Sequence, residues 1–117
     1  MKVAILGAGL AGLATAHYLL KSGRAEVTLF DPMGVGGGAS GTCSGLLHPY
    51  PGLNAQRSFR ASSAMKEALA LIDLAGPGVA THGILRLPLS EKQTDQMLAH
   101  VQCHGDVEER EEGFWID

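Results

Sequence analysis

The sequence predicts an α/β fold organised on a parallel strand–helix–strand unit, and three observations carry that reading. Val3-Ala4-Ile5-Leu6 is a continuous apolar run of the kind that fills a parallel strand buried on both faces. From Leu10, the positions Leu13, Ala14, His17 and Tyr18 recur at helical spacing, and Gly23 after Ser22 is a suitable stop. Val27-Thr28-Leu29-Phe30 is a second strand, closed by Asp31 and Pro32. Together they occupy about thirty residues, the size of a βαβ crossover.

Between the first strand and the helix lies Gly7-Ala8-Gly9-Leu10-Ala11-Gly12, a Gly-x-Gly-x-x-Gly sequence. Gly7 permits the tight turn out of the strand, Gly9 lets backbone approach a pyrophosphate, and Gly12 lets the helix pack close to the sheet. A phosphate placed there meets the positive end of the helix and its unpaired N–H groups. Asp31 falls 19 residues after Gly12, at the carboxyl end of the second strand. A carboxylate at that place can accept the hydroxyl protons of a ribose. The motif alone is weak; in this context it predicts a Rossmann-like, FAD/NAD(P)-binding unit. The alternative is a glycine turn that serves only helix packing. No arginine follows Asp31 directly, which disfavours the 2′-phosphate of NADP.

The next segment argues about which dinucleotide. Gly34, Gly36, Gly37, Gly38, Gly41 and Gly45 crowd into twelve residues. An NAD site needs no such loop after its second strand, whereas an extended flavin cofactor must pass beside backbone there. Ala39, Ser40 and Ser44 are small enough to allow that approach.

Further along, Asn54 is placed to cap a helix running to about Ala75, ended by Gly76-Pro77-Gly78. Its apolar stripe is Ala61, Ala64, Met65, Ala68, Leu71, Ile72 and Ala75. Arg57 and Arg60, one turn apart near its start, are candidates for a substrate carboxylate or cofactor phosphates, or else a solvated pair. Gly83 to Pro88 reads as a short strand carrying Arg86. Ser90-Glu91-Lys92-Gln93 is a capping box that starts a helix with Met97, Leu98 and Val101 inward and Gly105 as its stop. Phe114-Trp115-Ile116 reads as a last strand. His100, Cys103 and His104 share the last helix but lack a fourth ligand, so no metal is expected.

Composition narrows the class. The 117 residues are 45% apolar and 18% charged, which excludes a disordered chain, and the sixteen glycines follow no collagen period. The net charge of −3 argues against a nucleic-acid surface built on bulk charge. Residues 1–60 carry five Lys/Arg against two acids, for +3; residues 61–117 carry four against ten, for −6. The mildly positive half holds most of the glycines, where an anionic ligand is to be sought. Asp106 to Glu112 reads as a solvated acidic stretch. Cys43 and Cys103 form no CxxC, so a reducing, cytoplasmic setting without disulfides is expected. The apolar stretch after Lys2 could pass for a signal peptide, but its glycine pattern opposes that, and no membrane partner is expected.

The run Gly38-Ala39-Ser40-Gly41-Thr42-Cys43-Ser44-Gly45-Leu46-Leu47-His48-Pro49-Tyr50-Pro51 resembles the second signature of FAD-dependent oxidoreductases of the D-amino-acid oxidase and glycine oxidase type. The resemblance implies FAD, with Gly7, Gly9 and Gly12 at its pyrophosphate and Asp31 at its ribose. It also implies that Ser40, Gly41, Ser44, Gly45 and Leu46 line the inner flavin path. His48, the histidine nearest the flavin on this reading, is a substrate candidate beside Arg57 and Arg86. The implied reaction is oxidation of a C–N bond in a small amine or amino acid by hydride transfer to flavin.

Within the family, the Ala-Ser-Gly…Gly-x-Leu-x-Pro run is most similar to the FAD half of the enzyme that oxidises carboxymethylaminomethyl groups on tRNA wobble uridines. That enzyme typically has Asn-Arg-Gln where Thr42-Cys43-Ser44 stand here, which ranks tRNA below a small molecule as substrate. By role, residues 1–80 are expected to hold the cofactor and 81–117 to begin a substrate-binding region. The family's further strand, substrate sheet and flavin-closing segment are not found before Asp117. The expectation is therefore an incomplete unit, a truncated chain or one completed by a partner. The alternatives are a non-catalytic nucleotide-binding fragment that needs such a partner, or an NAD-binding protein.

Overall fold

A computed structural model of the chain describes residues 1–42 and 45–117. They form two compact units, residues 1–45 and 46–117. This is a division by contact, whereas the boundary drawn at residue 80 from sequence is one of role.

In the first unit, β1 (Lys2–Leu6) and β2 (Glu26–Phe30) pair in parallel, from Lys2 opposite Glu26 to Leu6 opposite Phe30. Helix α1 (Leu10–Lys21) connects them, completing the βαβ unit expected from the sequence. Thr15, a residue that weakens helices, turns its hydroxyl back onto Ala11 O at 2.7 Å. The helix ends where Gly23 takes φ +66° and its N–H bonds Leu20 O, while Lys21 complements the negative end of the dipole. Alternation is plain in both strands: Val3, Ile5, Val27 and Leu29 are half-buried, and their neighbours face out.

One expectation is corrected here. The apolar run of β1 predicts a strand covered on both faces, yet Leu6 is 85% and Phe30 53% exposed. Within this unit and among the described residues, α1 is the helix that packs on the strand pair, so the apolar run is half covered.

The second unit has its core in Tyr50, Ala55, Met97, Val107, Phe114 and Ile116, with Leu98 and Val101 packed against it. Strands β3 (Ile84–Arg86), β4 (Val107–Arg110) and β5 (Gly113–Ile116) form an antiparallel sheet in the order β3-β5-β4. The sequence pattern does not predict strand β4. Val107 is its one buried residue, and the exposed Glu108, Glu109 and Arg110 give it the look of a solvated run. Pairing with β5 is what makes it a strand. Helix α3 (Glu91–Cys103) begins as expected, with Ser90 Oγ accepting from Gln93 N. The Gln93 side chain reaches back one residue beyond the cap, its Oε1 accepting from Leu89 N at 2.9 Å.

Helix α2 (Ala61–Ala75) ends as expected, at Gly76 with φ +89°. Its start is corrected: residues 54–60 are turns and irregular chain, and the residue before the helix is Arg60, not Asn54. Ala55 and Arg60 take φ of +49° and +52°, and Ser58 N bonds Pro49 O at 2.7 Å. Folding this segment back buries Ala55 in the core, which a continuous helix would prevent. Arg57 and Arg60 therefore do not stand one helical turn apart. Among the described residues, no helix is long and apolar enough to cross a membrane.

Candidate functional site

The first unit brings the two glycine segments together. Gly7 leaves β1 at φ +106°, with its N–H on Phe30 O at 2.7 Å, so the turn is tied to the end of β2. Ala8 is buried, and Gly9 precedes α1 in extended conformation without a side-chain cap of its own. Leu10, Ala11 and Gly12 form the first turn, whose N–H groups find no partner within the helix. Gly12 faces backward onto the turn: a Cβ there would lie 1.9 Å from Gly7 O. The absence of that Cβ lets the helix start directly above the strand end.

Asp31 closes the turn from the other side. Its Oδ2 accepts from Ala8 N at 2.7 Å and its Oδ1 from Met33 N at 2.8 Å. The N–H groups of Ala8 and Met33, with a smaller share from Gly34, hold the carboxyl below its ordinary value despite some desolvation. Each oxygen keeps a further lone pair, so an ionised Asp31 can still accept from a ligand hydroxyl.

The glycine loop folds onto the same turn. Gly36 N donates to Ala8 O at 3.0 Å, and Leu10 N donates to Ser40 Oγ at 3.1 Å. Ser40 lies in a 3-10 turn over Ala39–Gly41, and its hydroxyl covers Gly9, where a Cβ would come within 2.7 Å of it. A Cβ on Gly41 would meet Gly36 O at 2.1 Å, which shows how closely the loop packs on itself. Ser44 lies outside the described residues. Gly45 closes this unit with φ +56°, and Leu46, 66% exposed, opens the next.

The three substrate candidates gather in the second unit around one side chain that sequence reasoning passed over, the buried Tyr50. His48 Nδ1 accepts from Tyr50 N at 3.3 Å. Arg86 donates to Tyr50 O and to Gly52 O. Arg57 Nε donates to the Tyr50 hydroxyl at 3.3 Å, and its guanidinium lies 5.9 Å from the ring centre. Asp106 completes the group: its Oδ1 accepts from the Tyr50 hydroxyl at 2.6 Å and its Oδ2 from Arg57 at 2.9 Å.

The electrostatics follow from these contacts. Burial, then the bond to Asp106, pushes the Tyr50 hydroxyl up to about 12. Burial alone would raise Asp106, but the bonds from Tyr50 and Arg57 outweigh it and hold the carboxyl low. Arg57 is raised, first by its bond to Asp106. His48 is lowered by burial and then by the charge of Arg86. The signal for this cluster was slight: a tyrosine between Pro49 and Pro51, and an acid after Gly105. His100 Nε2 lies 2.8 Å from Ala55 O, and no three His, Cys, Asp or Glu among the described residues could hold a metal ion.

The FAD dependent oxidoreductase family, DAO, matches residues 2–113. The chain belongs to this family. Members are FAD-dependent. In this chain the glycine turn with Asp31 has a shape that suits a dinucleotide. A curated relative is the tRNA 5-methylaminomethyl-2-thiouridine biosynthesis bifunctional protein MnmC of Maricaulis maris. The two are 35% identical over 94 residues, 80% of this chain. The match spans 16% of the relative's length. No solved structure matches significantly.

Proposed function

We propose that this chain holds the ADP half of FAD in an oxidoreductase acting on the C–N bond of an amine or amino acid. The observation that supports this most is the meeting, within one unit, of the Gly7–Gly12 turn, the start of α1 and the Asp31 carboxylate. FAD bound there supplies a two-electron acceptor for hydride from the carbon bearing the nitrogen, and water hydrolyses the resulting imine. The protein's own groups do the holding. Gly7 shapes the turn, the first amides of α1 offer donors to phosphate, and Asp31 offers oxygens to ribose hydroxyls. The cysteine spacing supports a reducing, cytoplasmic setting.

A second reading of the substrate has one observation in its favour. The identity to a protein named for tRNA 5-methylaminomethyl-2-thiouridine biosynthesis suggests an amine carried on tRNA. The net charge of −3 weighs against an RNA surface, so the small amine stands first.

Titration of the purified protein with FAD and with NAD, followed by flavin and protein fluorescence, tests the cofactor. Binding of FAD in preference to NAD is expected. A protein that stays colourless after refolding with FAD refutes the proposal. Anaerobic addition of glycine, sarcosine or D-amino acids then tests the reaction, with bleaching of the flavin expected. A bound flavin that none of them bleaches, but an aminomethylated tRNA does, assigns the second reading. One that nothing bleaches leaves a non-catalytic holder, with or without a partner chain.

A further inference from the structure

The second glycine of the motif ordinarily leaves backbone bare for a pyrophosphate. Here that surface is covered: Ser40 Oγ lies where it would meet a Gly9 Cβ at 2.7 Å and accepts the N–H of Leu10 at 3.1 Å. Leu10 is the first residue of α1, so the serine oxygen occupies a helix-start amide of the kind that binds anions. A hydroxyl oxygen is a neutral acceptor there, and a phosphate oxygen makes the stronger, charge-assisted bond. The segment that carries Ser40 is joined to the turn by one further bond, Gly36 N to Ala8 O. It also contains two residues at positive φ, Gly34 at +82° and Gly36 at +70°, whose backbones can change direction without a side-chain clash.

Resting on the dinucleotide reading above, we propose that Ser40 is a latch: its hydroxyl keeps the place of a phosphate oxygen on α1, and segment 33–41 shifts when the dinucleotide binds. Within the unit, the loop then competes with the cofactor before it embraces it. The free protein keeps its first helical amide satisfied, and binding exchanges one acceptor for another.

The test compares wild type with Ser40→Ala and Ser40→Gly, which lack the hydroxyl, and with Ser40→Thr, which keeps it. FAD affinity is read by fluorescence titration, and the latch itself by hydrogen exchange of the Leu10 amide in the free protein. Removing a neutral competing bond should tighten FAD binding by about two- to tenfold. Ser40→Thr, which keeps the hydroxyl, should bind FAD more weakly than Ser40→Ala and Ser40→Gly. Leu10 exchange should quicken in free Ser40→Ala and Ser40→Gly. If the variants lacking the hydroxyl bind FAD as wild type does, or more weakly, the latch is overturned while the FAD reading stands. If no variant and no wild-type protein binds FAD, the reading beneath it falls, and the latch with it. Unaltered Leu10 exchange overturns the contact on its own.

Discussion

Gly12→Ala sets two physical effects against each other, and the structure decides which wins. In an isolated helix the change is favourable, since alanine exceeds glycine by about 1 kcal/mol in helix propensity. Here the new Cβ would lie 1.9 Å from Gly7 O and 3.0 Å from Gly7 C. Ordinary contact begins at about 3.5 Å, so helix and turn must separate by about 1.5 Å. The obstruction is backbone, and it cannot rotate away as a side chain would. Gly7 is pinned by its N–H on Phe30 O and by its φ of +106°. Overpacking of this kind costs about 1–3 kcal/mol, and a backbone obstacle places this case at the upper end. The net expectation is a loss of about 1–2 kcal/mol in the first unit, with weakened FAD binding.

Native-state hydrogen exchange of the β1 and β2 amides reads that unit alone, and a urea titration reads the whole chain. Gly38→Ala is the control. Gly38 has φ −94°, and a Cβ there has open space around it, so its exchange should match wild type. A Gly12→Ala protein as protected as wild type, or more so, would refute the claim that the missing Cβ lets helix and turn meet.

Three further outcomes follow from the charged groups. Asp31 is held below its ordinary value, so it contributes stability above the unfolded value near 3.8, lost as pH falls through the lower folded one. Asp31→Asn should therefore lose protection at Ala8 and Met33 at neutral pH and converge with wild type in acid. A difference independent of pH contradicts it. Asp106→Ala leaves the buried Tyr50 hydroxyl without its acceptor and should cost about 1–3 kcal/mol in urea titration, whereas Asp106→Asn keeps an acceptor and should cost less; equal losses contradict the assignment. Tyr50, raised to about 12, stabilises the fold below its unfolded value near 10, and that share fades as pH rises through 12. Tyrosinate absorbance, compared with Tyr50→Phe, should show Tyr50 ionising only at that alkaline limit or on unfolding.

The parts of the fold that could be read in advance rest on rules local to a few residues. Gly7, Gly9 and Gly12 with Asp31, the stop at Gly76 and the cap at Ser90 each follow from backbone or capping geometry within a turn. The parts that could not be read depend on distant partners. Helix α2 starts at Ala61 rather than after Asn54 because Ser58 bonds Pro49 and because burial of Ala55 decides the path. Strand β4 exists because β5 pairs with it, and nothing in Val107–Arg110 except Val107 carries the apolar signal of a strand. In the first unit, the meeting of the glycine turn with Asp31 was legible and the bond that covers the turn was not. Ser40 stands within the segment marked as a cofactor loop, but its bond to Leu10 N joins residues thirty apart.

The contacts of His48, Arg57 and Arg86 show how polar residues with a possible substrate role are drawn into packing. Burying Tyr50 removes from water a hydroxyl, an N–H and a carbonyl, and each must find a partner. Asp106 and Arg57 serve the hydroxyl, His48 the N–H and Arg86 the carbonyl. Among the described residues no buried side-chain nitrogen or oxygen is left unmatched. The same guanidinium that could meet a substrate carboxylate is equally suited to a backbone carbonyl or Asp106, and sequence spacing does not separate the cases. What separates them is whether a large amphipathic side chain is buried close by, with polar ends that have to be met. On that ground, the polar contacts of Arg57 and Arg86 belong to the packing of Tyr50. A substrate carboxylate drawing on either would have to compete with the bonds that keep this tyrosine inside.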